Sequence, residues 1–361
     1  MTGLKTLKDI NLSGKNVILR VDFNCPIKNQ KVLNTFRMDM TIETFRYLLD
    51  KKAGKIIVLT HLGRPQGRPA AEFSLKPIVE IFKKRMAGLG SGKEEVKLID
   101  YNKDIRRCVK QAQAIKQGVV FLENIRFWEE EEQGDEKFSQ ELAGLGELYV
   151  NDAFSVCHRS HSSVTGIAKV IPARAGLLLE EELKKITEAV ENPKRPAAAI
   201  VGGAKLETKI PILEHLAKKY DKVLVGGLIA VELCREKARE VLEKLPRDKV
   251  ILPGGYVDSG RHDIDEESAQ RFSRELEGAG TILWNGPMGM FEKEPFDQGS
   301  RIVGQAVVGS GAYTLAGGGE TIEMLETFGL LEKMDFVSTG GGAMLEYIGG
   351  KKLPGIEILK K

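Results

Sequence analysis

The stretch Ala198-Ala199-Ile200-Val201-Gly202-Gly203-Ala204-Lys205 passes from a short apolar run straight into a glycine pair, and a segment with helical spacing follows it. An apolar run this short, bounded by glycine, is the mark of a strand buried on both faces, and a glycine turn leading into a helix makes it the first half of a βα unit. Similar runs follow at Val223-Leu224-Val225, Val250-Ile251-Leu252, Thr281-Ile282-Leu283-Trp284, Tyr313-Thr314-Leu315 and Phe336-Val337. Towards the N-terminus they are Val17-Ile18-Leu19, Ile56-Ile57-Val58-Leu59, Val96-Lys97-Leu98-Ile99, Val119-Val120-Phe121-Leu122 and Leu148-Tyr149-Val150. Strands alternating with amphipathic stretches predict an α/β chain with two doubly wound, Rossmann-like parallel sheets of about five or six strands each.

Between the two sets, Leu179, Leu183, Ile186 and Val190 recur at helical spacing after Glu180-Glu181-Glu182, and Asn192-Pro193 closes the segment. This predicts a helix joining two domains. A chain of 361 residues exceeds what one core usually supports. Hydrophobic residues at 42% supply enough apolar side chain for two cores. A net charge of +3 is too small for a dense basic surface, which argues against nucleic acid or an anionic membrane as partner. No stretch approaches the length of a membrane span, and Met1-Thr2-Gly3-Leu4-Lys5 leads into no apolar run, so the expected location is cytoplasmic. Cys25, Cys108, Cys157 and Cys234 are scattered without metal-ligand spacing and read as free, mostly structural thiols.

Ligands of open parallel sheets bind beyond the carboxyl ends of the strands. In the first half those ends are polar and cationic: Arg20-Val21-Asp22-Phe23-Asn24, His61-Leu62-Gly63-Arg64-Pro65, Glu123-Asn124-Ile125-Arg126 and Asn151-Asp152-Ala153-Phe154. In the second half glycine dominates: Gly202-Gly203-Ala204-Lys205, Gly226-Gly227, Asn285-Gly286-Pro287, Gly317-Gly318-Gly319-Glu320-Thr321 and Gly340-Gly341-Gly342. Glycine lets backbone amides approach an anion, and a helix starting just after adds its positive end, so the second half reads as a phosphate cradle. Neither a Walker A loop nor a dinucleotide fingerprint is present, which disfavours a P-loop enzyme and a two-domain dehydrogenase.

Arg64 and Arg126 directly follow buried strands, where a fork that clamps phosphate or carboxylate has a purpose that a solvated charge lacks. Arg37 and Arg159 join them as candidates, and His61 is read as a substrate contact. His158 and His161 read as structural, positioning a loop or capping the next helix. Lys205 and Lys209, four apart, are placed on one helical face, where a cation stabilises charge on a transferring phosphoryl group. The run Glu129-Glu130-Glu131-Glu132 reads as a solvated helix start without chemistry.

Taken in order, Arg20-Val21-Asp22-Phe23-Asn24, His61-Leu62-Gly63-Arg64-Pro65, Glu123-Asn124-Ile125-Arg126-Phe127, Val150-Asn151-Asp152-Ala153-Phe154, Leu283-Trp284-Asn285-Gly286-Pro287-Met288-Gly289 and Ser338-Thr339-Gly340-Gly341-Gly342-Ala343 resemble the phosphoglycerate kinases over nearly the whole chain. The resemblance implies a substrate-binding domain over residues 1–174, a hinge helix over 175–192, a nucleotide-binding domain over 193–345 and a tail over 346–361 that returns to the first domain, with a cleft that closes about the hinge. It implies that Asp22, Phe23, Asn24, Arg37, His61, Leu62, Gly63, Arg64, Arg126 and Arg159 hold 3-phosphoglycerate or 1,3-bisphosphoglycerate. It also implies that Gly203, Ala204, Lys205, Lys209, Gly226, Gly227, Asn285, Pro287, Glu292, Gly318, Gly319, Glu320 and Thr321 hold ADP or ATP with Mg²⁺. Arg37 and Lys209 are the implied catalytic cations, and a monomer is expected.

Two departures from the family stand out. Glu320, the implied metal ligand, replaces the family's aspartate. The stretch from Leu228 to Asp265 is shorter than the family's, Gly226-Gly227-Leu228 replaces a glycine triplet, and Asp263-Ile264-Asp265-Glu266 replaces Asp-Ile-Gly-Pro, so altered base contacts are expected. A second expectation, from another functional class, is a non-catalytic binder descended from the family. The presence of Arg37 and Lys209 favours the enzyme.

Overall fold

Residues 3–88, 95–235 and 239–360 are described by the computed structural model. The chain divides into two compact units, Met1–Glu182 with Leu353–Lys361, and Leu183–Lys352. The first division falls within the helix Leu177–Glu191, and the helix Gly341–Ile348 lies inside the second unit.

In the first unit the strands are β1 (Val17–Arg20), β2 (Ile27–Lys28), β3 (Lys31–Val32), β4 (Lys55–Leu59), β5 (Val96–Ile99), β6 (Gly118–Leu122), β7 (Leu148–Asn151) and β8 (Ala173–Ala175). β2 and β3 form a small antiparallel hairpin. The other six make one parallel sheet in the order β5-β6-β4-β1-β7-β8. β1, β4, β6 and β7 are buried along their whole length, as parallel strands covered on both faces must be, and this is why they read as unbroken apolar runs. Phe23, Phe45, Phe82 and Phe121 pack ring on ring in the core beside this sheet. The edge strand β8 escapes the sequence pattern because Ala173-Arg174-Ala175 has no β-branched residue; its pairing with β7 makes it a strand.

The second unit holds β9 (Ala197–Val201), β10 (Lys222–Val225), β11 (Val250–Ile251), β12 (Thr281–Asn285), β13 (Tyr313–Gly317) and β14 (Phe336–Ser338), all parallel in the order β11-β10-β9-β12-β13-β14. The chain starts in the centre at β9, builds outward to β11, then returns to the other side at β12. This is the Rossmann strand order, and its ligand crevice lies where the direction reverses, between β9 and β12. The corresponding reversal in the first unit lies between β1 and β7, whose registers pair Arg20 with Asn151.

Candidate active site

The first site is built on the turn after β1. Asp22 is buried and accepts hydrogen bonds from Arg37 Nη1, from the Ser155 hydroxyl and, at 3.0 Å, from the Asn24 amide. Burial pushes its carboxyl up, but Arg37, His61 and these donors outweigh that and hold it well below the usual carboxylate range. Arg37 stands in the first turn of the helix Phe36–Asp50. Asn24 Oδ1 accepts from the Gly63 amide at 2.9 Å, tying the turn after β1 to the turn after β4. Gly63 has φ +61°, and a Cβ there would lie 2.4 Å from the Phe73 ring, so glycine is required twice over.

His61 follows β4 and is buried, with Nδ1 3.2 Å from Arg20 Nη2. Burial, then the guanidiniums of Arg20, Arg126 and Arg37, hold its pKa well below the usual histidine value against the opposing pull of Asp22. Arg126 lies in the 3₁₀ turn Ile125–Phe127 after β6, where the Asn124 side chain accepts from its amide at 3.2 Å. Its Nη1 donates to the Gly63 carbonyl at 2.8 Å, and Nε faces Glu132 at 3.2 Å. Burial first, then Arg20, push the Arg126 guanidinium down to about 10. Arg159, half-buried, adds its charge to the same neighbourhood, while Arg64 is exposed. A guanidinium disfavoured first by burial and then by neighbouring guanidiniums marks a candidate site for an anion.

Some expected contacts are packing residues. The Phe23 ring is in the core, its amide donates to Thr60 Oγ1 at 2.9 Å, and its carbonyl accepts from the Cys25 amide. Leu62 is likewise buried in the core, and its backbone exchanges hydrogen bonds with the Asn124 side chain. The acidic run also differs from its sequence reading. It forms the short helix Glu129–Gln133, but Glu131 is 0% exposed, and both its oxygens accept from Ser163 in place of water. His161, buried with Nδ1 3.7 Å from Glu131, is pushed down to about 3 by burial and by Arg126 and Arg159. Cys157 is fully buried and its thiol is pushed up to about 12 by that burial, which makes it inert.

The second site sits at the reversal between β9 and β12. The Gly202 amide donates to the Asn285 carbonyl and the Gly203 amide to the Pro287 carbonyl, joining the two strand ends. Gly227 has φ +62°, and a Cβ there would lie 2.7 Å from Gly203 N, so the turns after β9 and β10 pack backbone on backbone. Lys209 Nζ donates to Asn285 Oδ1, and the Asn285 amide group donates to the Gly317 carbonyl. Burial pushes the Lys209 ammonium down to about 8 against the pull of Glu320. Lys205 is not on the helix with Lys209. It is the exposed N-cap of Leu206–Lys219 with extended backbone, because the glycine turn continues through it.

Lys205 and Lys209 nevertheless line one cavity of about 290 Å³ with Asn285, Gly318, Glu320 and Thr321. The helices Leu206–Lys219, Gly319–Thr327 and Gly341–Ile348 all begin at this cavity, pointing their positive ends into it. A second cavity of about 280 Å³ is lined by Leu228, Arg261, His262, Met290, Phe291 and Glu292. Ala204 and Glu320 line both, so the two are adjoining compartments, one cationic and glycine-walled, the other largely apolar. Gly226 is buried beneath Met288, and Pro287 also lines the apolar compartment. Arg261 and His262, which composition and spacing do not single out, come from the shortened 228–265 stretch; the Asp258 carboxylate holds His262 through its amide and Nδ1.

Comparison with known proteins agrees with this geometry. The family described as phosphoglycerate kinase matches residues 7–254 and 255–351. A phosphoglycerate kinase of Finegoldia magna is 37% identical over 396 residues, covering 98% of each chain. That alignment is longer than this chain, so the relative carries residues that this chain lacks. The phosphoglycerate kinase of Thermus thermophilus is 36% identical over 99% of this chain and 100% of its own. The solved phosphoglycerate kinase of Coxiella burnetii is 33% identical and superposes with a TM-score of 0.84 over 99% of this chain and 98% of that one. With two Rossmann-like sheets and relatives matched from end to end, the chain belongs to the phosphoglycerate kinase family, enzymes that transfer a phosphoryl group between 1,3-bisphosphoglycerate and ADP.

Proposed function

We propose that the first unit holds the phosphoglycerate and the second holds the nucleotide with Mg²⁺ for this transfer. The observation that carries the reading is Arg126, a guanidinium pushed down first by burial and then by Arg20 and Arg159, which an anionic substrate would relieve. Arg37, Arg159, Arg64, His61 and Asn24 complete that site, with Asp22 fixing the direction of Arg37. In the second unit the cationic compartment takes the polyphosphate and the apolar one takes the base, with Glu292 beside the sugar.

Among the described residues no group of three His, Cys, Asp or Glu side chains is gathered for a metal. A cation here is therefore held mainly by the nucleotide's phosphates and one carboxylate, the usual arrangement for magnesium. Glu320 fits that role: it is exposed in the first turn of Gly319–Thr327 and lines both compartments. Bound Mg²⁺ would neutralise charge on the β- and γ-phosphates.

Transfer proceeds when the acyl oxygen of one substrate and the terminal phosphate of the other meet in line with water excluded. Arg37 and Lys209 then balance charge on the moving phosphoryl group, and no covalent enzyme intermediate is needed. Both sites belong to one chain, so the reaction calls for no second subunit, and we read the enzyme as a monomer. Among the described residues no helix is long and apolar enough to cross a membrane. A coupled assay with 3-phosphoglycerate and MgATP tests the reading. Arg37→Ala is expected to lower turnover by roughly 10³ or more with nucleotide affinity nearly unchanged, as loss of a transition-state guanidinium does in phosphoryl transfer. Arg37→Lys should rescue poorly, since lysine lacks the planar fork. A variant that keeps most of its turnover would remove Arg37 from catalysis.

A further inference from the structure

Arg20 ends β1, between β4 and β7, yet it is 0% exposed, an unusual place for a guanidinium. Each arm of its fork is engaged. Nε donates to Ser163 Oγ at 2.9 Å, Nη1 to the Val21 carbonyl, and Nη2 lies 3.2 Å from His61 Nδ1. Its counter-charge is Glu131, equally buried, which meets Arg20 through Ser163: the Ser163 hydroxyl donates to Glu131 Oε1 at 2.5 Å and the Ser163 amide to Oε2 at 2.8 Å. Tyr149 fixes the serine from the other side by donating to its carbonyl at 2.7 Å.

Arginine carries only donors, so an imidazole nitrogen facing it must accept. The competing arrangement puts a proton on His61 Nδ1 and directs it to Asp22. Asp22 Oδ1 is 3.9 Å away, beyond hydrogen-bond reach, and its oxygens already accept from Asn24, Arg37 and Ser155. The charged groups that act on the ring from the packed elements are Arg20 on β1, Asp22 after it, Arg37 on the helix Phe36–Asp50 and Arg126 after β6. Three of the four oppose a second proton on the imidazole.

We propose that Arg20 and Glu131 are positioning residues that fix the tautomer of His61: Glu131 holds Arg20 through Ser163, Arg20 donates to Nδ1, and the ring's single proton rests on Nε2 as the donor offered to the phosphoglycerate anion. A neutral donor of this kind neither gains nor loses charge across the pH range where free histidine titrates. The acidic run thereby has a function: one of its four glutamates is the buried anchor of the relay. This rests on the reading of His61 as a substrate contact.

The test is a long-range proton–nitrogen-15 spectrum of the unliganded full chain with labelled histidine, in which His61 is assigned by its absence from His61→Gln. A single Nε2–H tautomer is expected from about pH 5 to about pH 8. A proton on Nδ1, or a ring that titrates within that interval, overturns the proposal without recourse to any further variant. In Ser163→Ala, which cuts the link but keeps Arg20, and in Arg20→Lys, which keeps charge but loses the fork, His61 should sample both tautomers. KM for 3-phosphoglycerate should then rise by about twofold or more, because only the Nε2–H fraction of the rings is competent to bind, and by the same factor at every pH in that interval, since exchange between neutral tautomers takes up no proton. Folded variants whose ring keeps the wild-type tautomer and whose KM is unchanged would show that Arg20 and Ser163 do not set it. His61→Gln tests the underlying reading separately. An unchanged KM there removes His61 from the substrate site but leaves the tautomer standing, whereas a raised KM combined with an Nδ1 proton keeps the site and sinks the relay.

Discussion

Keeping Lys209 charged is costly, since burial pushes its ammonium down to about 8 from an ordinary value of 10.5. The unfolded chain binds more protons at this position between those two values, so stability contributed by Lys209 rises with pH across that window, and at pH 7 the full penalty is present. Lys209→Met should therefore raise stability at pH 7 by up to about 3 kcal/mol while nearly abolishing turnover, and urea unfolding read beside the assay checks both. In the intact enzyme kcat/KM for the nucleotide reports the free protein. It should fall above about pH 8, approaching tenfold per unit, as Lys209 loses its proton, while kcat falls only at higher pH because bound phosphate restores the charge. A kcat/KM profile flat to pH 9.5, or a Met variant less stable than wild type, would count against Lys209 as the poised cation. Lys209 itself was legible as a candidate from its spacing after the glycine pair. That it is buried, and that Lys205 is not its helical neighbour, depends on where the turn ends, which no local pattern states.

At the scale of elements, the helix Leu177–Glu191 is anchored at its start by Asp152, whose Oδ1 accepts from the Leu179 amide at 3.2 Å. Asp152 is buried, and burial pushes its carboxyl up to about 6. With a folded pKa above the ordinary 3.8, the native state binds more protons between those values, so this group's cost is absent below about pH 4 and complete above about pH 6. Asp152→Asn keeps the acceptor and removes the charge. It should stabilise the protein at pH 7 by up to about 3 kcal/mol and by almost nothing at pH 4; equal effects at both values would assign the change to packing. The shortened 228–265 stretch leads to a second expectation. It supplies Leu228, Arg261 and His262 to the base compartment, whose other lining side chains include Pro287, Met290, Phe291 and Glu292, so the side chains there offer apolar packing and exposed polar groups in place of buried hydrogen-bonding side chains. Apolar fit discriminates by only about 1–3 kcal/mol, whereas strong selection needs buried polar groups left unpaired by the wrong ligand. The ratio of kcat/KM for ATP over GTP should thus be about tenfold or less at saturating 3-phosphoglycerate, and a preference above roughly a hundredfold would mean that the pocket reads the base in another way.

At the scale of the whole chain, the βα alternation was legible because parallel strands buried on both faces must be apolar throughout, which is how β1, β4, β9 and β12 stand out. The strand-end residues followed from the same rule, since ligand sites lie where such strands stop. Arg20 and Glu131 were missed because each would be solvated if alone; only β1 and the turn at Ser163, 143 residues apart, bring them into one buried chain of hydrogen bonds. The tail was expected from the resemblance alone, not from any local pattern. Leu353, Ile356 and Leu359 are too few to announce an element, yet all three are buried in the first unit, where the Lys5 amide donates to the Leu359 carbonyl and the Gly355 amide to the Cys157 carbonyl. Burial of an aliphatic side chain contributes about 1.5–3 kcal/mol, so the three together approach the entire stability of an ordinary domain, about 5–15 kcal/mol. A chain ending at Lys352 should therefore have a loosened first unit and an intact second one. Cys25, Cys108 and Cys157 are all buried in the first unit, and Cys234, in the second, is exposed. With Cys234→Ser as background, the full chain should react with a thiol reagent only slowly, whereas the truncated chain should react rapidly, lose 3-phosphoglycerate binding and keep its nucleotide affinity. Slow thiols and undiminished 3-phosphoglycerate binding after truncation would show that the tail contributes little to the first unit. A parallel loss of nucleotide affinity would show instead that the stability of the second unit also depends on those nine residues.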